Sequence, residues 1–228
     1  MTFLFPPALT PSIAIAGSEQ RFPLHRIYCI GRNYAEHARE MGMDVDREKP
    51  VFFCKPADAV VADRSQIPYP PATADLHHEV EMIVALQSGG SDIAAANALR
   101  HVFGYGVGLD LTRRDLQAAA KLKGLPWDTA KAFDRSAPVS ALRRAAEIGH
   151  PKAGRLTLEV NGAVRQIADI GDMIFGVADI IHELSLLFEL QPGDLIFTGT
   201  PAGVAALQAG DRFQARLENV AELRGAIM

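Results

Sequence analysis

The stretch Glu79-Val80-Glu81-Met82-Ile83-Val84-Ala85-Leu86 decides how this chain of 228 residues folds. It begins with alternating acidic and apolar residues and continues as an unbroken apolar run, which is typical of a strand that enters a hydrophobic core. Successive side chains of a strand point to opposite faces, so Glu79 and Glu81 share one face. The sequence therefore predicts a buried strand that carries two carboxylates at its start.

Strand and helix patterns alternate on both sides of this stretch. Gly104, Gly106 and Gly108 recur within an apolar run, as in a strand that another backbone approaches closely. Asn161-Gly162 between two β-like runs predicts a hairpin. Strands outnumber helices without a regular β-α-β order, which predicts a mixed α/β domain that is mostly β. Strands are predicted at residues 27–30, 51–54, 79–86, 102–111, 156–160, 163–166 and 195–198, and helices at 34–41, 94–101, 112–123 and 177–188.

The beginning of the chain differs from the rest in its proline content. Pro6, Pro7, Pro11 and Pro23 surround a short apolar piece from Ile13 to Ala16. This pattern predicts an N-terminal arm over residues 1–23 that pairs at a sheet edge, followed by one domain over residues 24–228.

Composition and charge exclude several classes of protein. Lys and Arg number 23 and Asp and Glu number 27, for a formal charge of −4. This argues against a protein that coats nucleic acid and against a polybasic membrane-surface module. The most apolar stretch, residues 173–190, contains Asp179 and Glu183, which argues against a membrane span. Cys29 and Cys54 form no metal-binding motif and are predicted to be buried thiols in a reducing cytoplasm.

Common catalytic motifs are absent from the sequence. There is no G-x-x-x-x-G-K-[ST], no G-x-G-x-x-G, no H-E-x-x-H and no G-x-S-x-G. The commonest nucleotide-binding enzymes, zinc proteases and serine hydrolases are therefore excluded, and another chemistry is indicated.

Carboxylates form the first candidate site. Glu79 and Glu81 would repel each other at the start of an apolar strand, and a bound cation relieves both this repulsion and the cost of burial. Oxygen ligands favour Mg²⁺, Mn²⁺ or Ca²⁺ over zinc. The alternative is a solvated face of an edge strand. Asp110 is either a third ligand or a cap for the helix at Thr112, and its position alone favours the cap.

Two further motifs also remain open on spacing alone. His37 and Glu40 share one face of a short helix, where a carboxylate that orients an imidazole suits a general base, but a surface charge pair is the alternative. The turn Thr198-Gly199-Thr200-Pro201-Ala202-Gly203 offers amides for an anion or is an ordinary turn. His77 and His78 point to opposite faces of a strand, so they are not predicted to share a zinc ion.

The order of the motifs carries more information than any single motif. They are His77-His78-Glu79-Val80-Glu81, Gly104-Tyr105, Leu109-Asp110-Leu111-Thr112-Arg113-Arg114-Asp115-Leu116-Gln117, Lys131, Asn161-Gly162, Gln166, Met173-Ile174-Phe175 and Thr198-Gly199-Thr200-Pro201. From about Arg26 to about Leu223 the chain resembles the fumarylacetoacetate hydrolase family. The Cys29-Ile30-Gly31-Arg32-Asn33-Tyr34 segment is similar to its small single-domain members, the acylpyruvases and especially the fumarylpyruvate hydrolases.

The resemblance implies a fold, a cofactor and a set of site residues. The fold would be a β-roll of curled mixed sheets with flanking helices, usually assembled as a homodimer, with residues 24–228 as the catalytic domain. One Mg²⁺ or Mn²⁺ per subunit would be bound by Glu79, Glu81 and Asp110. The implied catalytic residues are His37, Glu40 and Lys131. The implied substrate-binding residues are Arg114, Gln117 and Thr200, and Arg32, Arg114 and Gln117 are alternatives for a far carboxylate.

The implied reaction is hydrolysis of the C–C bond of a 2,4-diketo acid, with fumarylpyruvate giving fumarate and pyruvate in a gentisate-type route of aromatic degradation. Oxaloacetate decarboxylation or diene-dioate isomerisation on the same site is the alternative, and a non-catalytic metal-binding protein is the alternative from another class. Ala205, where the family usually has glycine, and Ile167-Ala168, where a glycine is common, depart from the family pattern. These departures concern the loops near the site and hence substrate size.

Overall fold

A computed structural model describes residues 2–40 and 49–228, apart from the side chains of Ala38 and Glu40. The strands are β1 (Ser12–Ala14), β2 (Arg21–Pro23), β3 (Ile27–Gly31), β4 (Val51–Lys55), β5 (Val60–Val61), β6 (Ser65–Ile67), β7 (Leu76–His77), β8 (Val80–Leu86), β9 (Val102–Leu109), β10 (Thr112–Arg113), β11 (Ala137–Pro138), β12 (Arg143–Arg144), β13 (Arg155–Val160), β14 (Ala163–Asp169), β15 (Leu195–Phe197), β16 (Ala206–Leu207), β17 (Arg212–Leu217) and β18 (Ala221–Ile227). The α-helices are α1 (Ala35–Glu40), α2 (Ala95–Ala98), α3 (Arg114–Lys123), α4 (Asp128–Lys131), α5 (Ala145–Ile148) and α6 (Val177–Leu187). Short 3₁₀ helices lie at Ala57–Ala59, Leu99–His101 and Ile170–Asp172.

Two larger sheets form the body of the fold. One has six strands in the order β12-β9-β8-β15-β3-β4, and the other has five in the order β14-β13-β17-β18-β6. The six-stranded sheet is mixed, since β15 runs parallel to β3 and antiparallel to β8. There are three smaller sheets among the described residues. One has the strand order β10-β7-β16, one pairs β11 with β5, and one pairs β1 with β2. This architecture confirms the predicted mixed α/β fold that is mostly β.

Both faces of β8 are buried, and the two faces differ in what they contact. Val80, Met82 and Val84 lie in the main hydrophobic cluster. Residues of the five-stranded sheet and of α6 belong to the same cluster. Ile83 and Ala85 face a second cluster that includes β3 and the N-terminal hairpin. Because side chains alternate along a strand, Glu79 and Glu81 lie on the side of the second cluster. The strand pattern thus directs two carboxylates into the interior of the protein.

The alternate glycines of β9 allow the 138–144 segment to approach closely, as the sequence predicts. A Cβ atom at Gly108 would lie 2.9 Å from the carbonyl oxygen of Pro138, and one at Gly104 would collide with the carbonyl of Arg143. Side chains at these positions would separate the segment from the sheet.

Several sequence predictions need correction. The helix expected from Thr112 begins at Arg114, and Thr112 lies instead in β10, with its hydroxyl donating to the carbonyl of Asp110 at 3.1 Å. The predicted buried thiol of Cys54 is exposed, because β4 is the edge strand of its sheet, whereas Cys29 is buried. The helix expected over residues 34–41 covers Ala35–Glu40, and its predicted last residue, Met41, lies outside the described residues.

The N-terminal hairpin of β1 and β2 packs against the larger body. β1 and β2 pair in antiparallel fashion, and Ile13, Ile15 and Phe22 are buried in the second cluster. The amide of Ala16 donates to the carbonyl of Leu142 at 2.9 Å. The division into an arm and a catalytic domain stays a prediction. Among the described residues, no helix has both the length and the apolar character needed to cross a membrane.

Candidate active site

Three buried carboxylates meet where β8 and β9 lie side by side. Val80 pairs with Leu109 and Glu81 with Gly108, and the Asp110 amide donates to the Glu79 carbonyl at 2.8 Å. This register places Asp110 beside Glu79 and Glu81, and one oxygen of each carboxylate lies within 4.8 Å of the others. Asp110 therefore does not cap α3, and Glu79 and Glu81 are not on a solvated face.

The triad fits a hard divalent cation such as Mg²⁺ or Mn²⁺. All of its ligand atoms are carboxylate oxygens, and all three residues are buried. Burial raises the pKa of Glu81, and the negative charges of Asp110 and Glu79 raise it further. Glu81 therefore does not ionise readily beside the other two carboxylates. A bound cation would stabilise its anionic form.

Lys131 supplies positive charge to this triad from the end of α4. Its ammonium lies 2.7 Å from Glu79 Oε2, 2.6 Å from Asp110 Oδ2 and 2.7 Å from Thr112 Oγ1. Burial by itself would lower the pKa of Lys131, but the charges of Asp110 and Glu79 outweigh it and raise the pKa. Lys131 is therefore a cation at neutral pH, although it is almost completely buried.

Lys55 is a buried cation that the sequence analysis missed. Its ammonium lies 2.8 Å from the other carboxylate oxygen of Asp110 and also donates to the carbonyls of Leu111 and Lys131. It thus connects a triad carboxylate with the backbone that carries Lys131. The signal in the sequence was a lysine just before Pro56 at the end of a predicted strand, which is a poor position for an isolated charge.

Arg114 and Gln117 extend from the first turns of α3 towards the triad. Arg114 Nη2 donates to Glu79 Oε1, and Arg114 Nη1 donates to Gln117 Oε1 at 2.5 Å. Burial raises the pKa of Glu79, but Lys131 and Arg114 lower it well below its usual range. Glu79 is therefore held in its charged form, in contrast to Glu81, whose pKa is raised.

The turn at residues 198–203 binds a carboxylate of the protein itself. The Gly199 amide donates to Glu81 Oε2 at 2.6 Å, and the Thr200 hydroxyl donates to the Val80 carbonyl at 2.9 Å. Gly199 has a φ of 90°, and a Cβ there would lie 2.6 Å from the Cβ of Asn33, so the turn requires glycine. The amide of the predicted anion-binding turn therefore orients Glu81.

Gln166, which the motif comparison singled out, connects this turn with β8. Its Nε2 donates to Thr200 Oγ1 at 2.9 Å, and its Oε1 accepts from the Val80 amide at 3.0 Å and lies 2.9 Å from His78 Nδ1. His77 lies against Asp75 instead. The two histidines have separate partners, as expected from their opposite directions.

A single pocket brings together the predicted catalytic and substrate-binding residues whose side chains are described. The predicted residues on its wall are His37, Glu79, Glu81, Arg32, Arg114, Gln117, Lys131 and Thr200. Phe53, Lys121 and Trp127 line it as well, and the sequence analysis missed these three. Asp110 lies beneath, within the triad. The side chain of Glu40 lies outside the described part of the structure, so its predicted contact with His37 stays a prediction.

The comparisons with known proteins agree with this geometry. A family model described as the fumarylacetoacetate hydrolase C-terminal domain matches residues 26–228. The chain belongs to the fumarylacetoacetate hydrolase family. A crystal structure of fumarylpyruvate hydrolase from Pseudomonas aeruginosa in complex with Mn²⁺ and pyruvate superposes with a TM-score of 0.97 at 48% identity, covering 100% of this chain and 99% of that one.

Two curated members of the family carry a different activity in their names. The mitochondrial oxaloacetate tautomerase FAHD1 of Rattus norvegicus is 44% identical over 87% of this chain and 89% of its own length. The oxaloacetate tautomerase YcgM of Escherichia coli is 42% identical over 83% of this chain and 87% of its own length. The family is therefore established, while its members differ in reaction.

Proposed function

We propose that this protein hydrolyses the C–C bond of a 2,4-diketo acid, with fumarylpyruvate as substrate and fumarate and pyruvate as products. The observation that carries the proposal is the presence, on one pocket, of a buried carboxylate triad, the Lys131 ammonium and the His37 imidazole. A metal-binding protein without catalytic activity would need the triad but not an imidazole on the same wall. The relative from Pseudomonas aeruginosa, which was solved with Mn²⁺ and pyruvate, supports the same reaction.

Glu79, Glu81 and Asp110 would hold the divalent cation. When bound, Mg²⁺ or Mn²⁺ supplies a Lewis acid for the keto-acid end of the substrate. The Gly199 amide and the Arg114 guanidinium fix the directions of the Glu81 and Glu79 carboxylates. The chain thereby provides a rigid set of oxygen ligands before substrate binds.

His37 would act as the general base in the hydrolysis. It takes a proton from water, and the resulting hydroxide adds to the carbonyl carbon farther from the substrate carboxylate. Glu40 is one helical turn away on the same helix, and we propose that it orients the imidazole. Because His37 is almost fully buried at the pocket wall, it is shielded from bulk solvent.

Lys131 would stabilise the leaving group. The bond between the attacked carbon and the methylene carbon breaks, and its electron pair passes to the pyruvate enolate. The Lys131 ammonium, which is a cation at neutral pH, interacts with the developing negative charge. His37 then returns its proton to the methylene carbon, giving pyruvate, while the acid product loses its remaining proton to solvent.

Oxaloacetate tautomerisation is the second candidate function, because two relatives above 40% identity carry that name. The reaction passes through an enolate like that of the hydrolysis, but no water attacks and no C–C bond breaks. Oxaloacetate decarboxylation and diene-dioate isomerisation, the alternatives from the resemblance, would use the same enolate stabilisation. The homodimer and the cytoplasmic location stay predictions.

A substrate panel separates these functions. Purified protein with Mn²⁺ is assayed on fumarylpyruvate and acetylpyruvate by loss of diketo-acid absorbance and on oxaloacetate by enol absorbance and by pyruvate formation. We expect kcat/KM for fumarylpyruvate to exceed the value for each oxaloacetate reaction by about 100-fold or more. A larger kcat/KM for oxaloacetate, with the diketo acids left uncleaved, would reject the proposal.

A further inference from the structure

The cations of the pocket fall into two pairs that differ in their partners. Arg114 and Lys131 both contact Glu79 and belong to the triad end. Arg32 and Lys121 line the same pocket, but among the side chains that the structure describes neither has a carboxylate within ion-pair distance. Arg32 and Lys121 are therefore two pocket cations without an ion pair to any carboxylate whose side chain the structure describes.

Arg32 is held towards the pocket by its backbone. It has a φ of 63°, which is unfavourable for a residue with a side chain and is maintained only by surrounding structure. The next residue, Asn33, provides that structure, because its side chain bonds the Phe175 carbonyl at 3.0 Å, the Thr198 carbonyl at 2.8 Å and the Phe175 amide at 2.7 Å. The Nε atom of Arg32 is buried and has no hydrogen-bond partner among the described residues.

Lys121 lies farther from the triad along α3. Arg114, Gln117 and Lys121 follow one face of the helix, and the rise per residue places Lys121 about 10 Å from Arg114 along the axis. The Lys121 ammonium lies over the Trp127 ring, 5.1 Å from its centroid. Burial lowers the pKa of Lys121, and the charge of Arg114 lowers it further, so a nearby anion would be stabilising.

We infer that Arg32 and Lys121 form the site for a second, distal carboxylate of the substrate, and so select elongated dianionic keto acids. The inference rests on the proposed function, because it assumes that the keto-acid end of the substrate lies at the triad. Arg114 and Gln117 are the other predicted partners of a far carboxylate, but Arg114 already donates hydrogen bonds to both Glu79 and Gln117. A substrate carboxylate at Arg32 and Lys121 would instead meet two cations that have no ion pair with a described carboxylate.

Equilibrium binding tests this inference without requiring turnover. The probes are 2-oxoheptanedioate and 2-oxoheptanoate, which have the same chain length and lack the 4-keto group, so neither can be cleaved as a diketo acid. Calorimetry in the presence of Mn²⁺ gives Kd for each probe. We expect the wild-type protein to bind the dianion about tenfold more tightly than the monoanion, as one added charge-assisted contact would give.

Variants of Arg32 and Lys121 test whether these two residues cause the preference for the dianion. Lys121→Gln and Arg32→Gln should each reduce the ratio of the two Kd values to about two or less, and Lys121→Arg should restore it. Lys123→Gln is the matched control, because it removes the same charge from an exposed position two residues away and should keep the wild-type ratio. Equal Kd values in the wild type, or a ratio unchanged in both glutamine variants, would overturn the inference. A protein that binds the dianion selectively but cleaves no diketo acid would contradict only the proposed function.

Discussion

The ammonium of Lys131 lies 2.6 Å from a carboxylate oxygen of Asp110, and both groups are buried. Lys55 also contacts Asp110 and Arg114 contacts Glu79, whereas Glu81 has no ion pair among the described side chains. A divalent cation bound by the triad would supply positive charge beside Glu81. The ion pair of Lys131 and Asp110 therefore contributes both to the stability of the protein and to the proposed reaction.

Replacing Lys131 tests its contribution to catalysis and its contribution to stability. Lys131→Met should lower kcat for a diketo acid by about 100-fold or more, because the enolate loses its cationic partner. It should also reduce the free energy of unfolding of the metal-free protein by about 3 kcal/mol, because Glu79 and Asp110 lose a buried partner. Denaturant unfolding with and without Mn²⁺ measures the second effect, and Mn²⁺ should recover most of it. Lys123→Met, an exposed control, should change neither quantity.

Metal affinity should increase with pH. The pKa of Glu81 is raised in the folded, metal-free protein above its ordinary value of 4.5. Protonated Glu81 therefore stabilises the metal-free fold fully at pH values below 4.5. This stabilisation is lost as the pH rises through the raised pKa. Binding of Mn²⁺ displaces that proton, and Kd should fall by up to about tenfold per pH unit while Glu81 is protonated. Calorimetry in two buffers of different ionisation enthalpy counts the protons released.

Glu81→Gln is the matching variant for that experiment. It should weaken Mn²⁺ binding by about tenfold or more and abolish the pH slope, because the amide has no proton to release. A wild-type Kd that does not vary with pH would refute the role of Glu81, as would an unchanged Kd in the variant.

His37 separates metal binding from catalysis. His37→Ala should decrease kcat by about 100-fold or more and leave the Kd for Mn²⁺ within about twofold of the wild type, because the triad is intact. Steady-state assays and calorimetry on the same preparation provide the two numbers. Wild-type turnover in this variant would show that another group activates water.

Lys55 should affect metal binding and catalysis through its contacts with Asp110 and with the backbone of Lys131. Lys55→Met removes the ammonium that lies 2.8 Å from Asp110 Oδ1, and it should weaken Mn²⁺ binding and lower kcat by about tenfold each. Lys55→Arg should recover part of both losses, since it restores the charge. A loss of stability in Lys55→Met with normal Mn²⁺ affinity and kcat would assign the residue a role in folding alone.

Local patterns predicted those parts of the molecule that depend on one or two strands. The alternation at Glu79 and Glu81 and the glycines of β9 are properties of single segments, and the structure agrees with both. The Asn161-Gly162 hairpin is present as well, with β13 and β14 as its strands. The family resemblance, not the spacing, assigned Asp110 to the site.

Features that depend on distant segments were not predicted. Lys55 reaches Asp110 from a strand that is 55 positions earlier in the chain, and the sequence between them does not encode that approach locally. Lys121 and Trp127 look like ordinary helix and loop residues until α3 and α4 are placed against the pocket. Thr112 was predicted to begin a helix, but its hydroxyl instead accepts a hydrogen bond from Lys131, which only the tertiary structure brings near.

The most direct test of the central claim is the fate of the water oxygen. Fumarylpyruvate is incubated with the protein and Mn²⁺ in water enriched in ¹⁸O, and the products are analysed at short times by mass spectrometry. The proposed hydrolysis predicts equal amounts of fumarate and pyruvate, with one ¹⁸O atom from water in a carboxylate of fumarate. Intact diketo acid after many turnovers of oxaloacetate tautomerisation in the same preparation would contradict the account.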